Sequence, residues 1–148
     1  MTYPHYEAGM NLPDGVAPPL SGYTNEELVA QAGSAALDYL LAQNVSSVLA
    51  KETAFSVSAF INQVFQENMV EYKIASYCKL CDDNQEAWQS GIDEIADEFS
   101  LMAGKAAIAA IEDSPVLDEG EDSIRKFLDT VYFSIRENIL ALKNRQIF

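Results

Sequence analysis

The chain has 148 residues, of which 49% are hydrophobic and 22% charged, and it carries a formal net charge of -14. This length predicts one domain that buries a core of its own. The negative charge excludes direct binding to nucleic-acid backbones or anionic membranes as the main function, so we expect protein partners.

Residues 1–23 are predicted to form an extended N-terminal arm. They contain four of the five prolines and three glycines, which do not fit a long helix or a central strand. Only Glu7 and Asp14 are acidic there, so the composition differs from that of a solvated disordered tail. The residues of the arm that we expect to contact a partner are Tyr3, Tyr6, Met10, Leu12, Val16, Leu20 and Tyr23.

Residues 24–148 are predicted to form an all-α, antiparallel helical bundle of about four helices, two of them long. Thr24 and Glu27 fit a capping box at the start of the first helix, which runs to about residue 44. The segment 45–49 reads as a turn, and a second helix is expected at about 52–80. Its apolar positions are Val57, Phe60, Ile61, Val64, Phe65, Met69 and Tyr72.

Two further helices follow, at about 84–112 and from residue 122 or 123 to about 144. The steps of four and three between apolar residues are those of helices in an antiparallel bundle. The third helix carries the stripe Trp88, Ile92, Ile95, Phe99, Met102 and Ala106, and the fourth carries Ile124, Leu128, Val131, Ile135, Ile139 and Leu142. Tyr132 and Phe133 are adjacent and point to different faces, so we expect one in the core and the other near an interface.

The charge is unevenly distributed along the chain. Residues 82–122 contain thirteen acidic residues and one base, Lys105, whereas residues 123–148 carry a net charge of +3. This polarity favours contacts between acidic and basic patches on different subunits.

Cys78 and Cys81 are the only cysteines, and they cannot build a disulfide framework. A structural zinc site needs four ligands, and the only histidine is His5. We interpret the cysteines as partly buried thiols near a helix end and expect no metal or cofactor. The start of the chain lacks a signal-peptide pattern, so we expect it in the cytoplasm or within a virus-like particle rather than secreted.

An acidic face on the third helix is the main candidate for metal chemistry. Asp93, Glu94, Asp97 and Glu98 form two pairs spaced four residues apart, and Glu67 and Glu71 on the second helix could add to them. This arrangement resembles the all-α nucleotide pyrophosphatases, which hold magnesium with acidic helix motifs, although their doubled-glutamate motif is not reproduced. The other reading of the face is a solvated acidic surface.

No catalytic constellation emerges, because His5 lacks triad partners and no nucleotide-binding loop is present. We therefore expect a non-enzymatic assembly protein that docks in a large multi-subunit particle through its arm, such as a virion connector, decoration or internal protein. The apolar chain end, Ile147 and Phe148, is a second candidate contact. The alternatives are an acidic inhibitor that imitates nucleic acid, and a magnesium-dependent enzyme that uses Glu67, Glu71, Glu94 and Asp97.

Overall fold

A computed structural model describes residues 25–80, 85–112, 116 and 121–142. Within these ranges there are five helices and no strand, which confirms the predicted all-α bundle. None of them combines the length and the apolar character required to cross a membrane. The helices are α1 (Asn25–Ala42), α2 (Ser47–Glu67), α3 (Val70–Leu80), α4 (Gln85–Ile111) and α5 (Glu121–Leu140). The predicted arm, residues 1–23, and the Thr24 cap lie outside the described residues.

Four of the helices form a closed ring in the order α1, α2, α4 and α5, and each packs on two neighbours. Neighbouring helices run antiparallel. Gly33 in α1 faces Ser58 in α2, and Gly104 in α4 faces Leu128 in α5. The hydroxyl of Tyr39 near the end of α1 donates to the Ser123 carbonyl near the start of α5, at 3.4 Å. The short helix α3 continues beyond α2 and contacts both α2 and α4.

The turn between α1 and α2 begins with Asn44 in the left-handed region, at φ 64°. The Asn44 amide donates to the Leu41 carbonyl and the Val45 amide to the Leu40 carbonyl, both at 3.1 Å. This is the Schellman pattern that ends many helices. The Ser46 side chain then caps α2 by accepting a hydrogen bond from the Leu49 amide. The prediction of a turn across 45–49 was therefore too long, because α2 already begins at Ser47.

The predicted second helix, 52–80, is wrong as one element, because it breaks at Asn68 and Met69. The Val64 carbonyl accepts both the Asn68 side chain at 2.8 Å and the Asn68 backbone amide at 3.1 Å, and the Met69 amide turns back to the Gln66 carbonyl at 3.1 Å. Met69 takes a left-handed backbone conformation, at φ 53°. Met69 was expected on the apolar face but is 48% exposed, since it sits at the corner where α3 turns away from α2.

The core contains one fully buried phenylalanine from each of three helices: Phe65 in α2, Phe99 in α4 and Phe127 in α5. The rings of Phe65 and Phe99 are 6.5 Å apart, and Phe127 meets Tyr39 of α1 at 5.9 Å. The α4 residues that point most directly inward are Ile92, Ala96, Phe99, Ala103 and Ala107.

The predicted stripe of α4 was thus partly right. Ile92, Phe99 and Ala106 are buried, but Ile95 and Met102 lie beside the core and are only partly buried. The Trp88 side chain lies outside the described residues. Alanines occupy the innermost positions instead, because α4 packs between α2 and α5 and small side chains let all three approach closely.

The predicted seam of α5 needs two corrections. Ile124 is exposed in the first turn of α5, and Phe127, one turn further on, fills the core instead. Of the adjacent aromatic pair, neither is a core residue: Tyr132 is partly buried and Phe133 is 53% exposed. Their rings meet edge to face at 5.2 Å.

The contact between α3 and α4 provides a test of close packing. A Cβ atom at Gly91 would lie 2.8 and 3.1 Å from two ring carbons of Tyr77, whose hydroxyl donates to the Ala87 carbonyl at 2.7 Å. We expect Gly91→Ala to lower the free energy of unfolding by about 1–3 kcal/mol in urea titrations, because the ring must move. Gly33→Ala is the matched control, since it meets mainly the Ser58 hydroxyl, which can rotate away. It should gain up to about 1 kcal/mol from helix propensity. Equal effects at the two positions would contradict this packing.

Ser100 provides a second test, in the core. Its side chain is fully buried, and within the described residues its hydroxyl has no hydrogen-bond partner. We expect Ser100→Ala to raise the free energy of unfolding by about 1 kcal/mol, because it removes an unsatisfied polar group. Ser90→Ala, at an exposed position whose hydroxyl donates to the Ala87 carbonyl, should change it little. Destabilisation by Ser100→Ala in the same titrations would show that the hydroxyl has a partner.

Candidate functional site

All of the residues predicted to contact a partner, the seven arm residues and Ile147 and Phe148, lie outside the described part of the chain. His5 and Cys81 lie outside it as well. Cys78 belongs to α3, but nothing is described of its side chain. The first described residue, Asn25, is held at one end of the bundle. The Asn25 amide donates to the Glu71 carboxylate at 2.9 Å, which fixes the start of α1 against the start of α3.

The predicted acidic face lies on the outside of α4, and all four carboxylates are exposed. Two of them are bound to the neighbouring helix α5. Asp97 accepts hydrogen bonds from the Tyr132 hydroxyl at 2.5 Å and from the Arg136 Nε at 3.1 Å. Asp93 accepts from the Arg136 guanidinium at 3.4 Å. Sequence reasoning placed these carboxylates on one face but missed that α5 supplies their partners.

The carboxylate of Asp97 is the electrostatic centre of this α4–α5 contact. Hydrogen bonds from Tyr132 and Arg136 favour its ionised form, so they hold the pKa of Asp97 below its ordinary value. The same contact raises the pKa values of the Tyr132 hydroxyl and the Arg136 guanidinium. These interactions stabilise the folded chain when Asp97 is ionised, and the contribution is lost as the pH falls through the folded pKa of Asp97. The site therefore joins two helices.

The contact predicts a specific change in the titration of Asp97. Tyr132→Phe should raise the pKa of Asp97 toward its ordinary value, because the carboxylate loses its shortest hydrogen bond. The measurement is a pH titration of the Asp97 side-chain carboxyl by carbon NMR. Tyr39→Phe is the matched control: it removes a hydroxyl whose hydrogen bond is made to the Ser123 carbonyl, and it should leave the titration unchanged. An unaltered Asp97 titration in Tyr132→Phe would contradict the contact.

The carboxylates proposed for magnesium are not assembled into a site. Glu71 accepts the Asn25 amide, and Glu67 accepts a hydrogen bond from Gln63 at 3.2 Å. Asp97 is bound to α5 as described. Within the described residues, no group of three or more acidic, histidine or cysteine side chains is placed to hold a metal ion.

A shallow groove of about 370 Å³ runs between α1 and α5. Its walls are polar and include two carboxylates, Asp38 and Glu137, and the exposed ring of Phe133. The complete lining is Gln31, Ser34, Ala35, Asp38, Thr130, Phe133, Ser134, Glu137 and Asn138. The groove is wide open, so it gives a small molecule little enclosure.

The most exposed large apolar side chains are on α2, where Phe55 is 77% and Val48 70% exposed. Sequence reasoning missed both. Phe55 lies two residues before the buried Val57, so on a helix it points about 200° away from the core. The sequence did contain a pattern that predicts this exposed apolar face, because Val48 and Phe55 are two helical turns apart and share a face. The correct start of α2 was needed to see it.

The protein is thus an antiparallel all-α bundle. On one side, carboxylates of α4 are bound by side chains of α5, and on another side, apolar side chains of α2 are exposed. Comparisons with protein-family models, with curated proteins and with solved structures find no match for this chain.

Proposed function

We propose that this protein is a non-enzymatic assembly subunit, which docks in a large multi-subunit particle through its N-terminal arm. A virion connector, decoration or internal protein is the concrete form of this function. The observation that carries the proposal is the composition of residues 1–23, which combine ten hydrophobic residues with two carboxylates in a chain of net charge -14. Contact with another protein removes the apolar side chains of such a segment from water, which lowers the free energy.

The arrangement of the bundle supports a role for the arm outside it. The described core cluster extends from Leu28 to Leu142 and is built by the helices and Val116. Its four-helix ring already closes on itself. The arm joins this ring at Asn25, which is held against Glu71 at one end of the molecule. A fully extended segment of 23 residues reaches up to about 80 Å, which is enough to cross a neighbouring bundle.

The two alternative functions have weaker support. An acidic inhibitor needs a free stripe of carboxylates, but Asp93 and Asp97 are bound to Arg136. A magnesium-dependent enzyme needs converging carboxylates, and those named for it are separated among α2, α3 and α4. The assembly function uses the features that these alternatives leave unexplained: the apolar arm and the exposed apolar side chains of the bundle.

The experiment compares the full chain with a chain that starts at Thr24, by light scattering after size-exclusion chromatography. We expect the full chain to form a defined multi-subunit species that falls to one or two chains on truncation, because the arm contacts are lost. A full-length variant with Tyr3→Ser, Tyr6→Ser and Tyr23→Ser is the matched control for chain length, and it should also dissociate.

Circular dichroism of the truncated chain tests the other half of the proposal. The bundle should remain helical and melt cooperatively near the temperature of the full chain, since its core is formed by the helices. A large loss of thermal stability would show that the arm wraps its own bundle. A full chain that remains monomeric would contradict assembly from copies of this chain.

A further inference from the structure

The outer face of α2 carries a second seam, opposite its buried one. The buried seam includes Val57, Ile61 and Phe65. The outer residues follow steps of four and three, the spacing at which helices pair in coiled coils. We call these residues the outer seam of α2: Val48, Glu52, Phe55, Ala59, Asn62 and Gln66. Phe55, its largest member, is 77% exposed.

Five of the six residues of the outer seam are uncharged, and Glu52 is its one carboxylate. The fourteen residues from Thr53 to Gln66 contain no acidic or basic residue. The outer faces of α1, α4 and α5 all carry exposed carboxylates, such as Asp38, Glu98 and Glu137. Two copies of a chain with net charge -14 repel each other, and the repulsion is weakest along residues 53–66, where neither copy presents a carboxylate.

We infer that two copies of this protein pair through the outer seams of their α2 helices, in antiparallel orientation. Phe55 of each copy packs on Ala59 of the other. The contact occurs twice in the dimer, and each time a large side chain fills the space beside a small one. A two-fold contact of this kind must be self-complementary, and the pair Phe55 and Ala59 provides that complementarity. The seam lies on the bundle, so this inference stands independently of the N-terminal arm.

Charge selects the antiparallel orientation. Lys51 and Glu52, the two charged residues near the start of α2, are both exposed. An antiparallel pair centred at the level of residue 57 places them opposite the amide side chains of Asn62 and Gln63. A parallel pair would place Glu52 beside Glu52 and Lys51 beside Lys51, which is destabilising. A face of one helix is a small interface, so the dimer should dissociate on dilution.

The first test is sedimentation equilibrium over a hundredfold range of concentration, with the full-length Tyr3→Ser, Tyr6→Ser and Tyr23→Ser variant as the background in which the arm contacts are removed. We expect a reversible monomer–dimer equilibrium that Phe55→Glu weakens at least about thirtyfold, because it buries a carboxylate at the centre of the contact. Leu101→Glu, on the exposed side of α4, is the control. It adds the same charge outside the seam and should leave the dissociation constant within about threefold. Circular dichroism confirms that both variants are folded.

The second test reports the orientation. Asn62→Lys should tighten the dimer and Asn62→Glu should weaken it, because residue 62 lies opposite Glu52 of the other copy in this register. Both effects should vanish in a Glu52→Gln background, as a double-mutant cycle requires.

The outcomes separate the possible occupants of the seam. A monomer at every concentration, or a dimer that Phe55→Glu does not weaken, would overturn the inference. Loss of association in Phe55→Glu without a Glu52-dependent effect at residue 62 would assign the seam to another occupant, such as a different surface of the second copy. That result would overturn the helix pair and leave the proposed role of the arm intact.

Discussion

The close approach of α4 to its neighbours is the constraint on which the rest of the structure depends. Ala96, Ala103 and Ala107 are fully buried on α4, and a Cβ atom at Gly104 would lie 3.1 Å from the Leu128 side chain of α5. With so little side chain at the centre, the helices lie close together and the core has room for few large residues. Three phenylalanines, from α2, α4 and α5, occupy this space. Phe55 and Phe133 point away from the buried faces of the same helices and lie outside the core.

The same ring arrangement separates two kinds of surface. α2 and α5 lie diagonally across it, since each contacts α1 and α4. On the α5 side, Arg136 and Tyr132 bind the carboxylates of α4 and neutralise part of the acidic surface. On the α2 side, the helix surface has no charge over four turns. The protein thus presents a flank where polar side chains of α4 and α5 bind each other and a flank on α2 with exposed apolar side chains and no charge over residues 53–66.

Apolar periodicity was sufficient to predict the all-α bundle, because steps of three and four residues mark helices wherever they bury one face. It failed where local chemistry or partner helices decided the outcome. The break after Asn68 arises where the Met69 backbone turns left-handed, and the spacing of apolar residues does not register it. Ile124 and Phe127 both fit the α5 seam, and the structure buries Phe127, where its ring meets Tyr39 of α1. The partners of Asp93 and Asp97 come from a helix about forty residues away, so their spacing on α4 alone could not show that they are bound.

The arm and the outer seam differ in the symmetry of the contacts that they would make. A seam that pairs with itself closes at two copies, because each copy uses the same surface. An arm that docks on a different surface of its neighbour leaves its own docking surface free for the next copy, so it can continue into a ring or a chain. A contact that closes at two copies and a contact that adds further copies are together sufficient to build a larger particle from a single kind of subunit. A weak seam contact is then an advantage, because several weak contacts act together in the complete particle while single copies stay separate until they assemble.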